Sequence, residues 1–593
     1  MEHTVESDVL IIGGGLAGAS AGVRLHDLGV ERVCLVDKAR VSRSGCSTFA
    51  AGVITAWFPE DNIDDWVRET AERGQYMSDQ EWVETLYLRG YEWICQLEGW
   101  GVELEKDAQG RIARVCGRGQ LPHKALRNIM FHGPQFMEMM RKQLIKRHLR
   151  LVEGVTITDL LTEGSRVVGA IGFNPREGDT YTFYSKAVIM AAGANAYKSI
   201  NIGHKNITGD SHGMSFRVGA EQACFDFCTQ QTCARNFDMT GLNMLVGLGG
   251  KLTNNNGDRF MLRYFPEYKE QEILPHLCGS MAMEVHRGRG PIFLDMTDLS
   301  GDGIARLRRV IPIAMQIFDD AGVDLQRDRI EWTIRPGAFS IASGGGGAVI
   351  DRDCRTTVPG LFAVGDAACT TTYNGVGDSG AQNLLWCMVS GGIAAEAAAS
   401  EAGTVRMPAA NARQVSELRE ISFAPLNRRE GPTPDDVLLQ LQMTIFPYTV
   451  TVIRHRDRLE RAVREVVRIQ DEEMPRIVAA DGHQLVKANE LRNMLLCAQF
   501  TLRSSLHREE SRGANLREDF PETDNVNWLR WTMVRSKGDG LEISSRPLPI
   551  ERFRFRPPSE RYLHPIFARA DIRLDKATTA EQDDRPIFYS SDV

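Results

Sequence analysis

The stretch that decides the fold is DVLIIGGGLAG, residues 8–18. Its unbroken run of Val, Leu and Ile is typical of a strand buried on both faces of a parallel sheet. Gly13, Gly15 and Gly18 then form GxGxxG, a helix-like spacing of apolar residues follows, and a second strand ends at Asp37. This order predicts a dinucleotide-binding βαβ unit, in which glycines admit a pyrophosphate and the acid accepts from a ribose hydroxyl.

Two later segments end in the same way as the first strand. KAVIMAAGANAY at 186–197 is a buried strand that ends in Ala-Ala-Gly, and VPGLFAVGDAA at 358–368 places a strand before Gly365 and Asp366. Ligands of open α/β sheets bind beyond the carboxyl ends of the strands. We therefore expect these ends to line one site together with Gly13.

In the rest of the chain, the pattern of predicted secondary structure changes twice. From about 236 to 338, turns, short strands and helices alternate, which indicates an inserted domain. From about 406 onward, apolar residues recur at helical spacing between charged faces, which predicts a helical domain. The last fifty or so residues have little periodicity, and both a wrapped tail and a mobile tail remain open.

Composition limits the class of protein. The chain has 593 residues, of which 42% are hydrophobic and 25% charged, so a soluble globular protein of several domains is expected. Its net charge of −8 argues against nucleic acid as the main partner. Twelve cysteines form no CxxC pair, so no metal site is predicted and Cys224, Cys228 and Cys233 are expected to be buried thiols. Without an export signal or a long apolar run, we expect a cytoplasmic protein that spans no membrane.

Several segments together resemble a known family over residues from about 5 to 530. The chain is similar to the flavoprotein subunits of the succinate dehydrogenase and fumarate reductase superfamily, and most of all to the adenylylsulfate reductase α-subunit branch. The segments that carry the resemblance, in family order, are GGGLAGASAG (13–22), KARVSRSGCSTFAAGVITAW (38–57), ITGDSHGMSFRVGAE (207–221), KLTNNNGDRFMLRY (251–264), EVHRGRG (284–290), VPGLFAVGDAA (358–368) and ESRGANLREDFPETD (510–524).

The resemblance implies an α/β fold class. It consists of a Rossmann-like FAD-binding domain with an inserted α+β capping domain and a C-terminal helical domain, and FAD lies between the first two. The boundaries that we predict are 1–235 and 339–405 for the two parts of the FAD-binding domain, 236–338 for the capping (substrate) domain, 406–540 for the helical domain and 541–593 for a C-terminal tail.

The resemblance also implies which residues bind FAD. Succinate dehydrogenases attach the flavin covalently to a histidine where this chain has Gly45, so the predicted FAD is non-covalent. The cofactor-binding residues implied by the family motifs are Gly13, Gly15, Gly18, Asp37, Lys38, Arg43, Ser44, Gly45, Ala192, Gly193, Asp210, Gly365, Asp366, Asn374, Ser379, Gly380 and Leu384.

Two catalytic positions of the family are changed. The proton-donating arginine of the capping domain corresponds here to Leu274, and the substrate-binding histidine falls among Phe339, Ser340 and Ile341. Fumarate, succinate and adenylylsulfate are therefore predicted to be poor substrates. The glycine run at 344–347 suggests room for a bulky or planar substrate opposite the flavin.

A flavin exchanges hydride at N5, so the protein must orient the substrate and supply a proton donor or acceptor. Tyr373 is the first candidate, because its loop follows a strand end that faces the flavin. Arg335 is a candidate clamp for an anionic substrate. Arg263 and His286 are further candidates, each with a structural alternative: an ion pair for the arginine and a satisfied or solvated imidazole for the histidine. The remaining possibilities are His132, His212, Tyr264, Asn374 and Asp378.

Three functions remain open. The first is an FAD-dependent oxidoreductase that transfers hydride between flavin N5 and a CH–CH unit or activated alkene of an organic, cyclic or carboxylated substrate. The second is a catalytic subunit, like that of adenylylsulfate reductase, that exchanges electrons with a separate iron–sulfur protein. The third is a non-catalytic flavin-binding subunit. An iron–sulfur subunit or a quinone is the expected electron partner, and homo-oligomer formation is left open.

Overall fold

The computed structural model describes residues 1–574 except 51, 132, 200–202, 229–230, 236, 238–244, 247–248, 335–344, 377–380, 409–410 and 539. Its central sheet has seven strands. In order across the sheet they are Arg150–Glu153, Val33–Asp37, Glu2–Ile12, Thr180–Met190, Arg166–Phe173 and Thr156–Glu163, with Leu361–Ala363 also paired to Thr180–Met190.

The strand that ends just before Gly13 is parallel to both of its neighbours in the central sheet. Glu2–Ile12 pairs in parallel with Val33–Asp37 and with Thr180–Met190. Residues 9–12 are all buried, which explains their continuous apolar run. Helices that pack around this sheet and its core are Leu16–Asp27, Ile63–Arg73, Gln80–Gly99, Gly133–Lys146 and Gln382–Thr404.

The inserted unit, here called the cap, is built on an antiparallel sheet of four strands. Its strand order is Thr232–Ala234, Ile330–Ile334, Ile292–Asp295 and Lys251–Thr253. Its helices are Met261–Tyr264, Leu274–His286, Gly301–Val310 and Pro312–Asp320. Leu274–His286, which we call the cap helix, is buried along most of its length.

The third unit is helical. Its helices are Ala412–Phe423, Pro434–Ile445, Tyr448–Thr451, Arg456–Arg468 and Gly482–His507. The last of these, here called the long helix, is buried on most sides, which is why it lacks the one-sided apolar stripe of a surface helix. The structure thus has the predicted α/β class with an inserted cap and a helical unit, while the exact domain boundaries stay predictions.

The end of the chain differs from the prediction of helices up to residue 540. After the long helix the chain forms Leu516–Arg517, Glu522–Asp524 and a hairpin of Arg530–Lys537 with Gly540–Pro547. Met533 and Val534 are buried in this hairpin, and its first strand extends a sheet through Gln222–Ala223. A Gly-Asp-Gly sequence at 538–540 is a hairpin signal that the sequence analysis missed.

The described part of the predicted tail is packed against its neighbours. Arg554 forms ion pairs with Asp64 and Glu84 of two helices beside the central sheet. Ile566, in the short helix Pro565–Ala568, is fully buried against the cap. Up to residue 574, the tail therefore follows the wrapped alternative.

A buried ion cluster joins the end of the long helix to the C-terminal strands. Arg508 donates to Asp226, and its Nη1 donates to Glu510 at 2.8 Å; all three side chains are fully buried. Arg512 donates to both oxygens of Glu510, at 2.8 and 2.9 Å. Burial opposes the charge on Arg508, but the two carboxylates outweigh it and raise its pKa. Because each charge depends on its partners, loss of one leaves another buried and uncompensated.

Replacing Arg508 with Leu is expected to lower the free energy of unfolding by about 3–5 kcal/mol, because Asp226 loses its cation. Arg413→Leu is the matched control, since Arg413 pairs with Glu417 at 2.8 Å on the surface. Loss of such an exposed pair costs less than about 0.5 kcal/mol. Denaturant titration followed by circular dichroism measures both, and equal effects of the two variants would contradict the expectation.

Candidate functional site

A cleft opens at the carboxyl ends of the parallel strands. Glu2–Ile12, Val33–Asp37 and Thr180–Met190 all end at it, and the residues that follow each of them lie in its wall. The cleft encloses about 940 Å³, including space open to solvent. The ends of three strands therefore converge on one cleft.

The glycine turn brings two backbones into contact at the floor of the cleft. Gly13 has φ +108°, and a Cβ on it would lie 2.4 Å from Ala191 O. A Cβ on Gly18 would lie 2.0 Å from Gly13 O, so the following helix packs directly on the turn. Gly15, in contrast, faces the cleft, and the atom nearest to a Cβ placed on it would be Ser47 Oγ at 3.8 Å. Only glycine fits the first two positions.

The helix Leu16–Asp27 begins at the cleft with a free positive end. Its N-cap residue, Gly15, offers no side chain to cap it, and no acidic residue lies in its first turn. The Leu16 N–H donates to Ser47 Oγ at 3.3 Å, and Ser47 lies in the cleft wall. Unpaired N–H groups and the helix dipole together favour an anion, such as a pyrophosphate, at this point.

Asp37 is held in place at the end of the second strand. Its carboxylate accepts from Gly14 N–H at 2.6 Å and from Ala39 N–H at 2.7 Å. A carboxylate has about four acceptor positions. Asp37 therefore keeps capacity for a ligand hydroxyl while its orientation is fixed by the backbone.

Lys38 connects the cleft to the long helix. Its Nζ donates to Asp210 at 2.8 Å, to Glu490 of the long helix at 2.7 Å and to Thr208 Oγ1 at 2.8 Å. Burial lowers the pKa of Lys38, but the two carboxylates outweigh burial and raise it above its usual value. The two acids thus compensate its charge, and the contact ties the cleft wall to the helical unit.

Asp366 lies in the cleft wall and has an unused acceptor. Its Oδ1 is buried and has no hydrogen-bond partner among the residues that the structure describes. Burial raises the pKa of Asp366 to about 6. A buried carboxyl oxygen without a donor is costly. This oxygen therefore suits a ligand with hydroxyl donors.

The cleft wall contains many of the residues predicted to bind the cofactor. These are Gly13, Gly15, Asp37, Lys38, Ser44, Gly45, Ala192, Gly193, Asp210 and Asp366. The described residues of the prediction that do not line it are Gly18, Arg43, Gly365, Asn374 and Leu384. The predictions that lie outside the described residues are Arg335, Ser379 and Gly380, with His132, Asp378 and positions 339–341.

Tyr373 is fully buried and does not line the cleft. Its ring stacks on Trp386 with centroids 4.6 Å apart, and its hydroxyl donates to Asn383. The neighbouring Asn374 is 1% exposed, and neither polar atom of its side chain has a partner among the described residues. Asn374 thus has the unused hydrogen-bonding capacity, whereas the Tyr373 hydroxyl already has an acceptor.

The two cap candidates make structural contacts. Arg263 is 7% exposed and donates to Glu284 at 2.8 Å, and Glu284 also accepts from Arg289 at 2.7 Å. Burial opposes ionisation of Glu284, but these donors lower its pKa. His286 Nε2 lies 2.9 Å from a Glu518 oxygen. These contacts favour the structural alternatives, and a catalytic role for either residue stays a prediction.

Packing accounts for two glycines of the run. A Cβ on Gly346 would lie 2.4 Å from the Phe225 ring, and one on Gly347 would lie 2.4 Å from the Ala368 carbonyl carbon. Glycine is therefore required there by neighbouring protein atoms. The space expected for a bulky substrate does not explain these two positions.

The sequence analysis missed several residues of the cleft wall. Cys46 and Ser47 follow Gly45 directly, so the segment RSGCST contained the signal. Cys387 comes from the helix Gln382–Thr404, and no motif pointed to it. Burial raises the pKa of both Cys46 and Cys387 well above the usual value. Both are thus neutral thiols rather than nucleophiles.

Other features bear on ligands and membranes. Cys224, Cys228 and Cys233 are buried free thiols, as expected. In the part of the chain that the structure describes, no three His, Cys, Asp or Glu side chains are grouped so that they could bind a metal ion. Within the same residues, every helix is too short or too polar to cross a membrane.

Comparison with known proteins identifies related sequences. A family model described as FAD binding domain matches residues 8–384, and one described as fumarate reductase flavoprotein C-term matches 440–562. A subunit of the CoM/CoB fumarate reductase from Methanothermobacter marburgensis is 27% identical over 90% of this chain and 97% of its own. The succinate dehydrogenase flavoprotein subunit of Rickettsia bellii is 27% identical over 89% and 92%.

Solved structures show the same fold. Quinol fumarate reductase from E. coli has a TM-score of 0.84 at 21% identity, covering 94% of this chain and 99% of its own. Adenylylsulfate reductase from Archaeoglobus fulgidus has a TM-score of 0.78 at 22% identity, covering 93% and 98%. The matches confirm the predicted resemblance, the fold class and FAD as the cofactor.

Asp366 predicts a pH dependence of the protein without bound cofactor. Since burial raises its pKa from 3.8 to about 6, the folded state binds the proton more tightly than the unfolded state. Stability is then greatest below the lower value and falls as the pH rises through the higher one, by about 3 kcal/mol in all. Unfolding midpoints of the apoprotein across this range, compared with Asp366→Asn, measure the effect. The same pH dependence in both proteins would disprove it.

Proposed function

The chain belongs to the FAD-binding flavoprotein family of succinate dehydrogenase and fumarate reductase, and on that premise we propose that it transfers hydride between flavin N5 and a CH–CH unit or activated alkene of an organic substrate. It is an FAD-dependent oxidoreductase. The observation that carries the proposal is the likeness, over 89–90% of the chain, to relatives named for fumarate reduction and succinate oxidation. Both reactions interconvert carbon–carbon single and double bonds.

The cleft suits the chemical groups of FAD. We propose that the pyrophosphate lies at Gly15 and the free end of the helix Leu16–Asp27, and that Asp37 accepts from the adenosine ribose. The unpaired buried oxygen of Asp366 then accepts from a hydroxyl of the ribityl chain. When bound, FAD supplies the hydride donor or acceptor. Because Gly45 carries no side chain that could form a bond, the cofactor is held without a covalent link at that position.

Asn374 is our candidate for binding the flavin ring. Its amide is buried, and its donor and its acceptor are both unused among the described residues. Buried polar groups are almost always hydrogen-bonded. The pyrimidine edge of a flavin offers both a donor and acceptors, so it complements an amide. We therefore propose that Asn374, although it is not among the residues that line the cleft, hydrogen-bonds to this edge of the ring and orients it.

The cap indicates a substrate that differs from those of the named relatives. Leu274 begins the cap helix and is 1% exposed, so this position supplies neither a proton nor a charge. Arg263, the nearest cap guanidinium in sequence, donates to Glu284. An arginine in a buried pair is not free to clamp a dicarboxylate without breaking that pair. We propose that the substrate is neither fumarate nor succinate.

The electrons are proposed to reach a separate partner. The relatives named above are described as subunits, which indicates assembly with other chains. We propose an iron–sulfur protein or a quinone as the partner that accepts or supplies electrons. This role is compatible with hydride exchange at the flavin, because a reduced flavin can release its electrons one at a time.

The substrate class is tested by anaerobic titration of the purified flavoprotein. The panel contains simple enoates, cyclic enones, saturated cyclic ketones, fumarate and succinate. Saturated compounds are added to the oxidised protein and alkenes to the dithionite-reduced protein. We expect the visible flavin band to bleach or recover with one class other than the dicarboxylates. Turnover of fumarate or succinate as the best substrate would overturn the substrate proposal, and no response to any alkene or CH–CH compound would overturn the reaction class.

Asn374→Leu is expected to have opposite effects on the two forms of the protein. Without FAD, the variant is as stable as the wild type or more stable, because a buried unsatisfied amide has been removed. With FAD, the cofactor dissociation constant rises about tenfold, which corresponds to about 1.4 kcal/mol for the lost hydrogen bonds. Flavin fluorescence titration and thermal unfolding of the apoprotein measure these. Unchanged FAD affinity, or a destabilised apoprotein, would contradict the assignment.

A further inference from the structure

Gln75 lies where three parts of the chain meet. It follows the helix Ile63–Arg73, beside the central sheet. Its Oε1 accepts from the Gly513 N–H at 2.9 Å, and its Nε2 lies 3.0 Å from Nε2 of His276 in the cap helix. Its backbone oxygen accepts from Arg512 Nη1 at 2.9 Å. One side chain thus bridges the FAD-binding unit, the cap and the C-terminal segment.

Gly513 fixes the orientation of this bridge. A backbone N–H can only donate, so the amide oxygen of Gln75 faces it and the amide nitrogen faces His276. That nitrogen donates, so His276 Nε2 accepts from it. Nδ1 of His276 lies 3.4 Å from a Glu272 oxygen, and the ring stacks on Phe265 with centroids 4.4 Å apart. The cap histidine is therefore in contact with Gln75, Glu272 and Phe265.

The backbone at the junction is strained. Gln75 and Tyr76 have φ 50° and 60°, both in the left-handed region. Residues with a Cβ rarely adopt this conformation, and it persists only where surrounding contacts impose it. With two such residues in succession, the chain departs from the path of the helix Ile63–Arg73, and the Gln75 side chain reaches His276 of the cap.

The same junction supports the loop that carries Asn374. A Cβ on Gly375 would lie 2.3 Å from Gly74 O, and the Val376 N–H donates to Gly74 O at 3.1 Å. A Cβ on Gly513 would lie 2.5 Å from Val376 Cβ. Gly375 and Val376, which directly follow Asn374, are therefore in contact with the neighbours of Gln75. Gly74 precedes Gln75 in the chain, and Gly513 donates to its side chain.

A second link keeps the cap attached independently of Gln75. Arg73 pairs with Glu272 of the cap, and its guanidinium lies 3.8 Å from the Tyr268 ring centroid. Both members of the ion pair are largely buried. Loss of the Gln75 bridge is therefore expected to change the position and mobility of the cap helix without releasing the cap.

We propose that Gln75 is a positioning residue that couples the cap helix to the end of the short helix Thr371–Asn374 and to Gly375, and so sets the position of the cap relative to the flavin. Gln75 does not line the cofactor cleft, so it acts through His276 and the loop. The inference rests on the proposed function only for the placement of the flavin ring at Asn374. The contacts to the cap do not depend on any substrate.

The test is hydrogen exchange of the FAD-loaded protein, followed by mass spectrometry. Gln75→Leu is expected to raise exchange in peptides of the cap helix about fivefold to tenfold and to shift the visible flavin band, with the flavin content unchanged. Gln143→Leu is the matched control, because Gln143 is also buried and accepts from Arg147 at 2.6 Å in a helix beside the central sheet. It should leave the cap helix and the flavin band as in the wild type.

A double-mutant cycle shows whether the bridge itself is responsible. His276→Phe keeps the aromatic stack but removes the acceptor, so it should raise cap-helix exchange as Gln75→Leu does. The double variant should be no faster than the faster single variant, since both remove one interaction. Additive effects, unchanged cap exchange in Gln75→Leu, or an equal change in Gln143→Leu would each overturn the proposal. Altered exchange with an unshifted flavin band would overturn the coupling to the flavin and leave the hydride-transfer proposal untouched.

Discussion

The contact between the backbones of Gly13 and Ala191 is the constraint on which the site depends. These residues directly follow two adjacent parallel strands, and a single methyl group at Gly13 would lie 2.4 Å from the Ala191 carbonyl oxygen. Because no side chain separates them, the strand ends and the start of the helix Leu16–Asp27 lie close together. The floor of the cleft is consequently made of backbone, which can approach a pyrophosphate more closely than side chains could.

Charge compensation then determines how the other units are attached to this floor. Lys38 leaves the second strand at the cleft and is paired by Asp210 and by Glu490 of the long helix. The buried Arg508 cluster fixes the other end of that helix to the C-terminal strands. Buried ions require partners, so these contacts define which surfaces of the helical unit meet the cleft. The helical unit is thereby a structural support of the cofactor site.

The local parts of this arrangement could be predicted from the sequence, and the long-range parts could not. Gly13, Asp37 and Asp366 belong to short motifs whose meaning depends on neighbours in the chain, so the cleft edge was predicted. Cys387 reaches the cleft from a helix more than 300 residues away, and Gln75 meets His276 and Gly513 only through folding. The position of Tyr373 after a strand end makes it a catalytic candidate in the sequence. Its burial and its hydrogen bond to Asn383 result from tertiary packing. Contacts between residues so distant in the chain cannot be predicted from composition or residue spacing.

The distribution of unsatisfied polar groups separates binding from support within the site. Of two neighbouring buried residues, Tyr373 has an acceptor for its hydroxyl, while the Asn374 amide has neither its donor nor its acceptor matched among the described residues. In the cap, Glu284 accepts hydrogen bonds from the guanidinium groups of Arg263 and Arg289. Native proteins rarely leave buried polar atoms unpaired, so Asp366 in the cleft wall and Asn374 are candidates for ligand contacts. The guanidinium groups of Arg263 and Arg289 already donate to Glu284 without a ligand, which favours the proposal that the substrate is not a dicarboxylate held by these arginines.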